Sequence, residues 1–381
     1  EYEEGLPIYQ DRIYLNDGRG NFSKDISSLP PIRSSGSCVC AVDFDQDGDL
    51  DIFRGGRVIP DKYPFPPKSY LLENKGGGKF QDVTENNAPE LREIGMVTSA
   101  VWNDVNGDQK PDLILVGEWM PITIFENIDK KLRKSELQKF GLQNTEGWWN
   151  RIVPTDFDMD GDVDFIVGNL GLNYKFHTTI EKPFMVFCDD YDQNGTFDIV
   201  LAKYNGQDLV PVRGRQCSSE QVPSIESKFP NYNSFANAKL SDIYGNKIET
   251  GLQYKANMFE SIVLLNENRK FTPYSLHKFA QFSTIQGIVV EDFNLDGNKD
   301  VLIAGNMFGS EIETTRADAS VGMLFKGSKQ SVMQFPTSPM DSGFFVPYDV
   351  KDIKSIKVNG KYGVLVGINN NALYYFKNNL Q

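Results

Sequence analysis

Acidic residues occupy every second position of residues 43–51, which read DFDQDGDLD and are followed directly by IFRGG. Alternating carboxylates place oxygen atoms on one side of a loop, and the glycine allows the chain to turn. Hard divalent cations prefer oxygen ligands, and Ca²⁺ tolerates an irregular cage better than Mg²⁺ does. The segment is therefore predicted to be a loop that holds Ca²⁺ between two strands.

The same pattern occurs five times, always with Asp or Asn at positions 1, 3 and 5 and with Asp at position 9. The copies, called loops 1 to 5, are DFDQDGDLD from residue 43, DVNGDQKPD from residue 104, DFDMDGDVD from residue 156, DYDQNGTFD from residue 190 and DFNLDGNKD from residue 292. The predicted side-chain ligands are Asp43, Asp45, Asp47, Asp51, Asp104, Asn106, Asp108, Asp112, Asp156, Asp158, Asp160, Asp164, Asp190, Asp192, Asn194, Asp198, Asp292, Asn294, Asp296 and Asp300. Position 7 is expected to add a backbone carbonyl ligand, from Asp49, Lys110, Asp162, Thr196 and Asn298.

About five structural Ca²⁺ ions are therefore predicted, one in each loop. Each loop fills the coordination positions of its own ion, which leaves little room for a substrate. Five divalent ions would change the formal net charge from −13 to −3. The alternative is that these residues only form polar turns, since Asp, Asn and Gly favour turns.

Strand-like runs flank the loops, as in CVCAV and IFRGG around loop 1 and QGIVV and VLIAGN around loop 5. A third run closed by a polar turn and a phenylalanine follows in SYLLENKGGGKF and SIVLLNENRKF, and RIYLNDGRGNF near the start has the same form. The unit is read as a four-stranded antiparallel meander. Successive loops begin 61, 52, 34 and 102 residues apart. We therefore predict an all-β fold, a seven-bladed β-propeller, with six blades as the alternative.

Two of these spacings are irregular. The 34-residue step leaves little room for a full blade, so its outer strands are expected to be short or supplied by LGLNYKF. The 102-residue step contains an insertion near residues 216–246, in which the apolar spacing of Phe229, Tyr232, Phe235, Ala236 and Leu240 suits a helix. Residues 1–381 are read as a single propeller domain that lacks part of its first blade or an upstream region.

The composition limits the choice of partner. A net charge of −13 disfavours nucleic acid and anionic membranes, and no run of about 18 apolar residues predicts a transmembrane segment. The first residues, EYEEGLPIYQ, do not resemble a signal sequence, which could have been removed upstream.

The four cysteines form no metal-binding pattern: Cys38 and Cys40 are predicted to be small apolar residues on one strand face. A disulfide between Cys188 and Cys217 is kept as an alternative to free thiols.

These loops, together with NDGRGNF and NKGGGKF, resemble FG-GAP or VCBS repeats, the propeller units also found in integrin α-subunit heads. More narrowly, GGRVIPDKYPFPPKSYLLEN, LILVGEWMPITIFEN, EGWWN and VGNLGLNYKF look like bacterial exported propellers related to the ASPIC/UnbV and cartilage acidic protein group. The resemblance runs over residues 12–379 and implies a calcium-binding propeller in the periplasm, on the cell surface or secreted. Loop 2 departs from the family pattern because Gln109 replaces the usual glycine, which puts the affinity of that site in doubt.

Three functions are compared. The favoured one is a non-catalytic, calcium-stabilised extracytoplasmic propeller that binds a glycan or protein ligand. Trp148, Trp149, Tyr63 and Phe65 are the candidate ligand-binding residues, whereas Trp102 and Trp119 lie beside strands and are expected in the core. The second function is a propeller-based polysaccharide lyase or hydrolase, and the third is a purely structural module of a larger secreted protein.

The enzyme alternative has little support in the sequence. Only His177 and His277 are present, and each is expected to be a surface or packed residue. No nucleophile elbow, metalloprotease histidine pair, P-loop or dinucleotide-binding glycine pattern occurs. Arg213, Arg215 and Tyr204 are weak candidates for a lyase. No catalytic residue is assigned, and the sequence favours a protein that is not an enzyme.

Overall fold

The computed structural model describes residues 3–310 and 314–379, and nearly all of its regular structure is antiparallel β-sheet. The first hairpin contains β1 (Ile13–Asn16) and β2 (Phe22–Asp25). A four-stranded meander follows, with β3 (Gly36–Val42), β4 (Asp51–Gly56), β5 (Tyr70–Asn74) and β6 (Phe80–Asp82). The next sheet contains β7 (Met96–Asn103), β8 (Asp112–Met120), β9 (Thr123–Ile128) and β10 (Lys131–Lys134), with the short β11 (Gly147–Trp148) paired to β8.

The third meander is interrupted by a separate sheet. It begins with β12 (Arg151–Thr155) and β13 (Asp164–Gly168). The chain then forms a different four-stranded sheet, called the inserted sheet, from β14 (Phe184–Asp189), β15 (Asp198–Asn205), β16 (Asp208–Pro211) and β17 (Leu252–Ala256). Afterwards β18 (Ile262–Asn266) pairs with β13, and β19 (Phe271–Ser275) completes the meander.

Two further sheets complete the described chain. The first contains β20 (Gly287–Glu291), β21 (Asp300–Ala304), β22 (Met323–Lys326) and β23 (Phe335–Thr337). The second contains β24 (Val350–Val358), β25 (Lys361–Ile368) and β26 (Tyr374–Lys377). The three strands predicted after Phe344 are therefore confirmed.

The helices are short, and most of them cluster between β16 and β17. They are α1 (Thr84–Asn87), α2 (Arg215–Gln221), α3 (Ser224–Lys228), α4 (Tyr232–Ala236), α5 (Leu240–Tyr244) and α6 (Pro339–Ser342), with 3-10 turns at Pro7–Tyr9, Pro89–Leu91, Leu137–Phe140, Gly245–Glu249 and Lys278–Gln281. The predicted helical insertion is confirmed, but it is divided into short helices. Prolines at 223 and 230 separate the helices because they cannot donate a helical hydrogen bond. Within α4, Phe235 is buried whereas Tyr232 and Ala236 are exposed.

Adjacent sheets pack through separate hydrophobic layers. The first strands β3, β7, β12, β20 and β24 lie side by side in that order. Phe53 and Leu113 belong to one apolar layer, which joins the first two meanders, and Trp149 and Phe165 belong to the next. Meanders packed side by side through their first strands form a β-propeller. The predicted all-β propeller is confirmed, while the number of blades and the single-domain description of residues 1–381 stay predictions.

The position of loop 4 differs from the expectation. This loop joins β14 to β15 and so belongs to the inserted sheet, not to a blade in the main succession. Residues 170–176, which were expected to supply outer strands, form no strand. The 34-residue spacing was misleading because the acidic pattern recurs inside a sheet that interrupts another blade.

The described residues contain four cysteines and only short helices. None of the four cysteines, all within the described ranges, forms a disulfide, so the alternative of a bridge between Cys188 and Cys217 is wrong. Cys38 and Cys40 lie on β3 and pack against the first apolar layer, as predicted. In the described ranges, every helix is too short or too polar to span a bilayer.

Candidate metal-binding loops

The five acidic loops share one backbone conformation. Each joins a first strand to a second strand, and its fourth and sixth residues both have positive φ. The values are 59° and 103° at Gln46 and Gly48, 79° and 65° at Gly107 and Gln109, 68° and 98° at Met159 and Gly161, 64° and 88° at Gln193 and Gly195, and 61° and 87° at Leu295 and Gly297. Two left-handed residues turn the chain sharply, so alternate side chains face the centre of the loop.

Backbone N–H groups hold the side-chain oxygens at positions 1 and 5, which are carboxylates except for the Asn194 amide in loop 4. In loop 1 the Gly48 N–H donates to Asp43 Oδ2 at 3.0 Å, and the Asp49 N–H donates to Asp47 Oδ1 at 3.1 Å. Both bonds recur in the other four loops, from the equivalent N–H groups at positions 6 and 7. The side chains are therefore held in place by the loop itself.

The aspartate at position 9 anchors the loop to its sheet. Asp51 is 1% exposed, and its Oδ2 accepts the Phe44 N–H at 3.1 Å while its Oδ1 accepts the Asn74 N–H at the end of β5 at 2.8 Å. Asp112, Asp164 and Asp300 make the same pair of bonds to position 2 and to the third strand or the residue just after it. Asp198 makes only the position 2 bond among the described residues, because β16 lies at the far end of β15.

The backbone carbonyl of the residue at position 2 also connects neighbouring sheets. The Phe44 carbonyl accepts Asn127 Nδ2 from the next sheet at 2.6 Å, and the Phe293 carbonyl accepts Asn378 Nδ2 at 2.6 Å. In loop 3 the Phe157 carbonyl accepts the Val332 N–H at 3.0 Å. Since the N–H of the same residue donates to the position 9 carboxylate, each of these loops links its own sheet to the following one.

Three of the loops bring carboxylates together closely enough to hold a metal ion. Ligand atoms at positions 1, 3 and 9 lie within 4.8 Å of one another in the sets Asp43, Asp45, Asp51; Asp156, Asp158, Asp164; and Asp190, Asp192, Asp198. Loops 2 and 5 have an amide at position 3, from Asn106 and Asn294, which can supply a neutral oxygen at the same place. The position 5 side chains lie outside these close sets, and the position 7 carbonyls stay predicted ligands.

The charge distribution fits a bound cation. Asp156 Oδ1 is buried and has no hydrogen-bond partner among the described residues. Burial raises the pKa of Asp51, Asp112 and Asp164 to about 6, although two backbone N–H groups at each carboxylate offset part of this rise. Burial also raises the pKa of Asp198 and Asp300. A buried carboxylate beside other carboxylates is unfavourable unless a cation compensates it.

Loop 2 keeps the shared conformation despite Gln109. This residue has φ of 65°, and its N–H donates to Asp104 Oδ2 at 2.7 Å, as the glycine N–H does elsewhere. The glycine of this loop stands instead at position 4, as Gly107. Gln109 therefore preserves the geometry of the loop, but its left-handed conformation strains the backbone.

The sequence-predicted aromatic residues occupy different environments. Trp149 is 0% exposed and donates Nε1 to the Thr145 carbonyl at 2.8 Å, which leaves no surface for a ligand. Trp148 is half-buried and packs edge-on to Trp119 with ring centroids 5.0 Å apart. Tyr63 lies between Glu118 and Trp119, as described below. Phe65 packs on Phe197 of loop 4, with ring centroids 4.7 Å apart.

The residues considered for catalysis have structural contacts. His177 is exposed, while His277 accepts the Phe279 N–H at the start of a 3-10 turn and packs on Phe325. Arg215 donates to the Phe229 carbonyl within the helical insertion, and Tyr204 pairs with Leu209 in a hairpin. Trp102 and Trp119 are packed in the interior, as expected.

The acidic motif does not identify a second repeated feature, which lies at or near the ends of the second strands β4, β8, β13 and β21. A glycine there is followed by Arg57, Glu118, Asn169 or Asn306. The glycine is required because a Cβ on Gly117 would lie 2.3 Å from the Met96 carbonyl oxygen. Arg57 Nη2 and Glu118 Oε2 are 2.5 Å apart, so the two sheets that lack the asparagine form an ion pair instead. Aligning the strand ends would have revealed this exception.

The strain in loop 2 gives a testable prediction. Gln109→Gly should raise the free energy of unfolding by about 1 kcal/mol, because glycine adopts the left-handed conformation without steric cost. The reciprocal Gly48→Gln should lower it by a similar amount, since the added Cβ would have no neighbour within 4 Å and only backbone strain changes. Urea denaturation in excess Ca²⁺ measures both. Equal stability of all three proteins would contradict the shared conformation.

The sequence and the structure of this chain were compared with those of known proteins. Residues 8–53 and 104–167, which include loops 1 to 3, match a family model described as FG-GAP-like repeat. A search of curated proteins gave no match. One similar solved structure is described as the basis of specific recognition of non-reducing terminal N-acetylglucosamine by an Agrocybe aegerita lectin; it is 12% identical, with a TM-score of 0.42, and covers 99% of this chain and 79% of that one. That similarity is too low to support a conclusion, and the narrower likeness to the ASPIC/UnbV group stays a prediction. The sequence match and the repeated strand–loop–strand units agree: this chain carries FG-GAP-like repeats within a β-propeller fold.

Proposed function

We propose that this chain is a non-catalytic β-propeller, stabilised by Ca²⁺, that binds a glycan or protein ligand outside the cytoplasm. The observation that carries the proposal is the separation of two faces. One face carries acidic loops 1, 2, 3 and 5, and the opposite face carries connections whose lengths differ greatly from sheet to sheet. A uniform face suits a scaffold, whereas variable loops on a rigid framework suit ligand recognition.

Calcium is the cation that suits these loops best. Carboxylate and amide oxygens at positions 1, 3, 5 and 9, with a carbonyl at position 7, form an all-oxygen set. The predicted ligands come from one flexible loop, and Ca²⁺ accepts irregular coordination more readily than Mg²⁺. The role proposed for the ions is structural, because position 9 connects the loop to its sheet and position 2 connects it to the next.

The proposed compartment follows from calcium availability. Extracellular modules can rely on Ca²⁺ sites with dissociation constants near 10⁻⁴ to 10⁻³ M, because free Ca²⁺ there is abundant. We propose that the five acidic loops, which lie at the surface and bind through short side chains, are low-affinity Ca²⁺ sites of this extracellular type. We therefore propose the periplasm, the cell surface or the extracellular medium as the location.

The ligand is proposed to bind the face opposite the acidic loops. Loops 1, 2, 3 and 5 follow first strands, so the connections that follow second strands lie at the other end of each sheet. In the described ranges these connections are residues 57–69, 121–122, 169–261, 305–310 and 314–322. They include the inserted sheet and the helical insertion, and most of the chain that breaks the repeat therefore lies on this side.

Calcium should reverse the pH dependence of stability. Without a metal ion, Asp51, Asp112 and Asp164 have pKa values of about 6 in the folded protein, against about 3.9 in an unfolded chain. The folded state then binds more protons, so the free energy of unfolding falls as pH rises from about 4 to about 7. With saturating Ca²⁺, which binds ionised carboxylates of the folded protein, stability should instead rise over this range.

Calorimetry at several pH values, in EDTA and in millimolar Ca²⁺, measures this reversal. Mg²⁺ at the same concentration serves as the control and should give a smaller increase in Tm. Identical pH profiles in EDTA and in Ca²⁺ would rule out structural calcium.

Ligand binding is tested by presenting the calcium-loaded protein to arrays of glycans and of surface proteins. Binding should be selective, and it should be lost in EDTA at temperatures where the chelated protein unfolds. Release of shortened oligosaccharides from a bound polysaccharide would instead favour the lyase or hydrolase alternative. The absence of any ligand, with co-purification of neighbouring proteins, would favour a purely structural module.

A further inference from the structure

We infer that a cavity between residues 57–69, the end of β8 and the inserted sheet binds a neutral sugar unit of a glycan. This inference rests on the proposed ligand-binding function and assigns it to one site. The cavity has a volume of about 510 Å³, within the range of small-ligand sites. It lies on the face opposite loops 1, 2, 3 and 5, because its walls come from the end of β8, from connections that follow second or fourth strands, and from the inserted sheet.

One polar wall contains Glu118 and Trp119, which Arg57 and Tyr63 hold from behind in a hydrogen-bonded chain of four side chains. Arg57 Nη2 lies 2.5 Å from Glu118 Oε2, and the Tyr63 hydroxyl donates to Glu118 Oε1 at 2.7 Å. The Trp119 Nε1–H donates in turn to the Tyr63 hydroxyl at 2.5 Å. Each of these contacts crosses between the first and second meanders. The Glu118 carboxylate is therefore fixed in position at the cavity wall, with lone pairs that can accept further hydrogen bonds.

The second polar wall repeats this chemistry with different residues. Glu146 Oε1 lies 3.7 Å from Lys255 Nζ of β17, and Glu146 Oε2 accepts Asn257 Nδ2 at 2.5 Å. The Glu146 carbonyl also accepts the N–H groups of Asn257 and Met258, which fixes the backbone. Glu146 and Lys255 both line the cavity.

The charges favour a neutral ligand. Glu118 and Glu146 each have a cationic partner, so neither carboxylate needs a positive charge from the ligand. Glu93 adds a third carboxylate, which disfavours an anionic ligand. Paired acidic and basic groups present acceptors and donors without a large net charge. Sugar hydroxyl groups, which both donate and accept, match such a surface.

The remaining walls are apolar and rigid. Met96, Met120, Met185, Trp119 and Tyr254 line the cavity. Trp119 has φ of 60°, a conformation that a bulky residue rarely adopts, and its ring stacks on Phe184 with centroids 5.8 Å apart. Strained residues of this kind concentrate at functional sites. The C–H faces of a sugar ring can pack on the half-buried Met185 and Tyr254 while its hydroxyl groups meet Glu118 and Glu146.

The repeat explains why the cavity lies between these sheets. Asn169 and Asn306 are 0% exposed and use their side chains to hold the connections that follow them. In the first two meanders, Arg57 and Glu118 stand where the later meanders have asparagine. Their side chains form an ion pair with each other and do not hold the following connections as the asparagines do. A second cavity of about 430 Å³ adjoins the first and shares Pro66 and Glu93 with it. There is thus room for more than one sugar unit.

The test measures Kd for a neutral glycan identified on the array, using full-length protein in Ca²⁺. Glu146→Gln and Gln253→Ala should each weaken binding about tenfold or more, because each removes a polar contact from the cavity. Gln253 is an exposed residue of β17, so its substitution should leave Tm unchanged. Gln81→Ala, an exposed glutamine on β6 outside the cavity, is the matched control and should bind as wild type.

Each outcome has a distinct meaning. If wild-type protein binds no glycan, the proposed function fails. If wild type binds and both cavity variants bind equally well with unchanged Tm, the site lies elsewhere and the inference is overturned. Selective binding of acidic glycans or of basic peptides would also overturn it. If Glu146→Gln does not fold, Gln253→Ala alone decides.

Discussion

The structure depends on a buried carboxylate that requires compensation. In four of the five loops the aspartate at position 9 accepts one N–H from its own loop and one from the third strand or the residue just after it, and so fixes three segments of one sheet together. The adjacent position 2 peptide reaches the following sheet in three loops. Two N–H groups offset only part of the burial cost, and the neighbouring carboxylates increase it. The proposed cation would resolve this conflict, and the same ion would then stabilise both the sheet and its neighbour.

We propose that this arrangement divides the molecule into a scaffold and a recognition surface. The acidic loops vary little because each must satisfy the same bonds. The connections at the opposite ends of the sheets are free of that constraint, and they contain the inserted sheet and the proposed sugar cavity. Loop 4 is the exception: it stands on the inserted sheet, and its Phe197 packs on Phe65 of the connection that forms one cavity wall. An ion in loop 4 would therefore support the cavity rather than the ring of blades.

The local features of the fold could be predicted from the sequence, but the long-range ones could not. The strand–loop–strand units followed from alternating Asp residues and positive-φ turns, since such signals lie within nine residues. The placement of loop 4 did not, because nothing local distinguishes a blade from a sheet inserted between β13 and β18. The pair of Arg57 and Glu118 is 61 residues apart in sequence. Their contact exists only because adjacent sheets place equivalent strand ends side by side.

The central claim is that the acidic loops are calcium sites of a propeller scaffold. It is tested most directly by anomalous X-ray diffraction from crystals grown in Ca²⁺ or soaked with Tb³⁺. Anomalous peaks are expected within coordination distance of the position 1, 3 and 9 oxygens in all five loops, including loop 2 with Gln109. Well-ordered loops without peaks at millimolar Ca²⁺ would contradict the central claim.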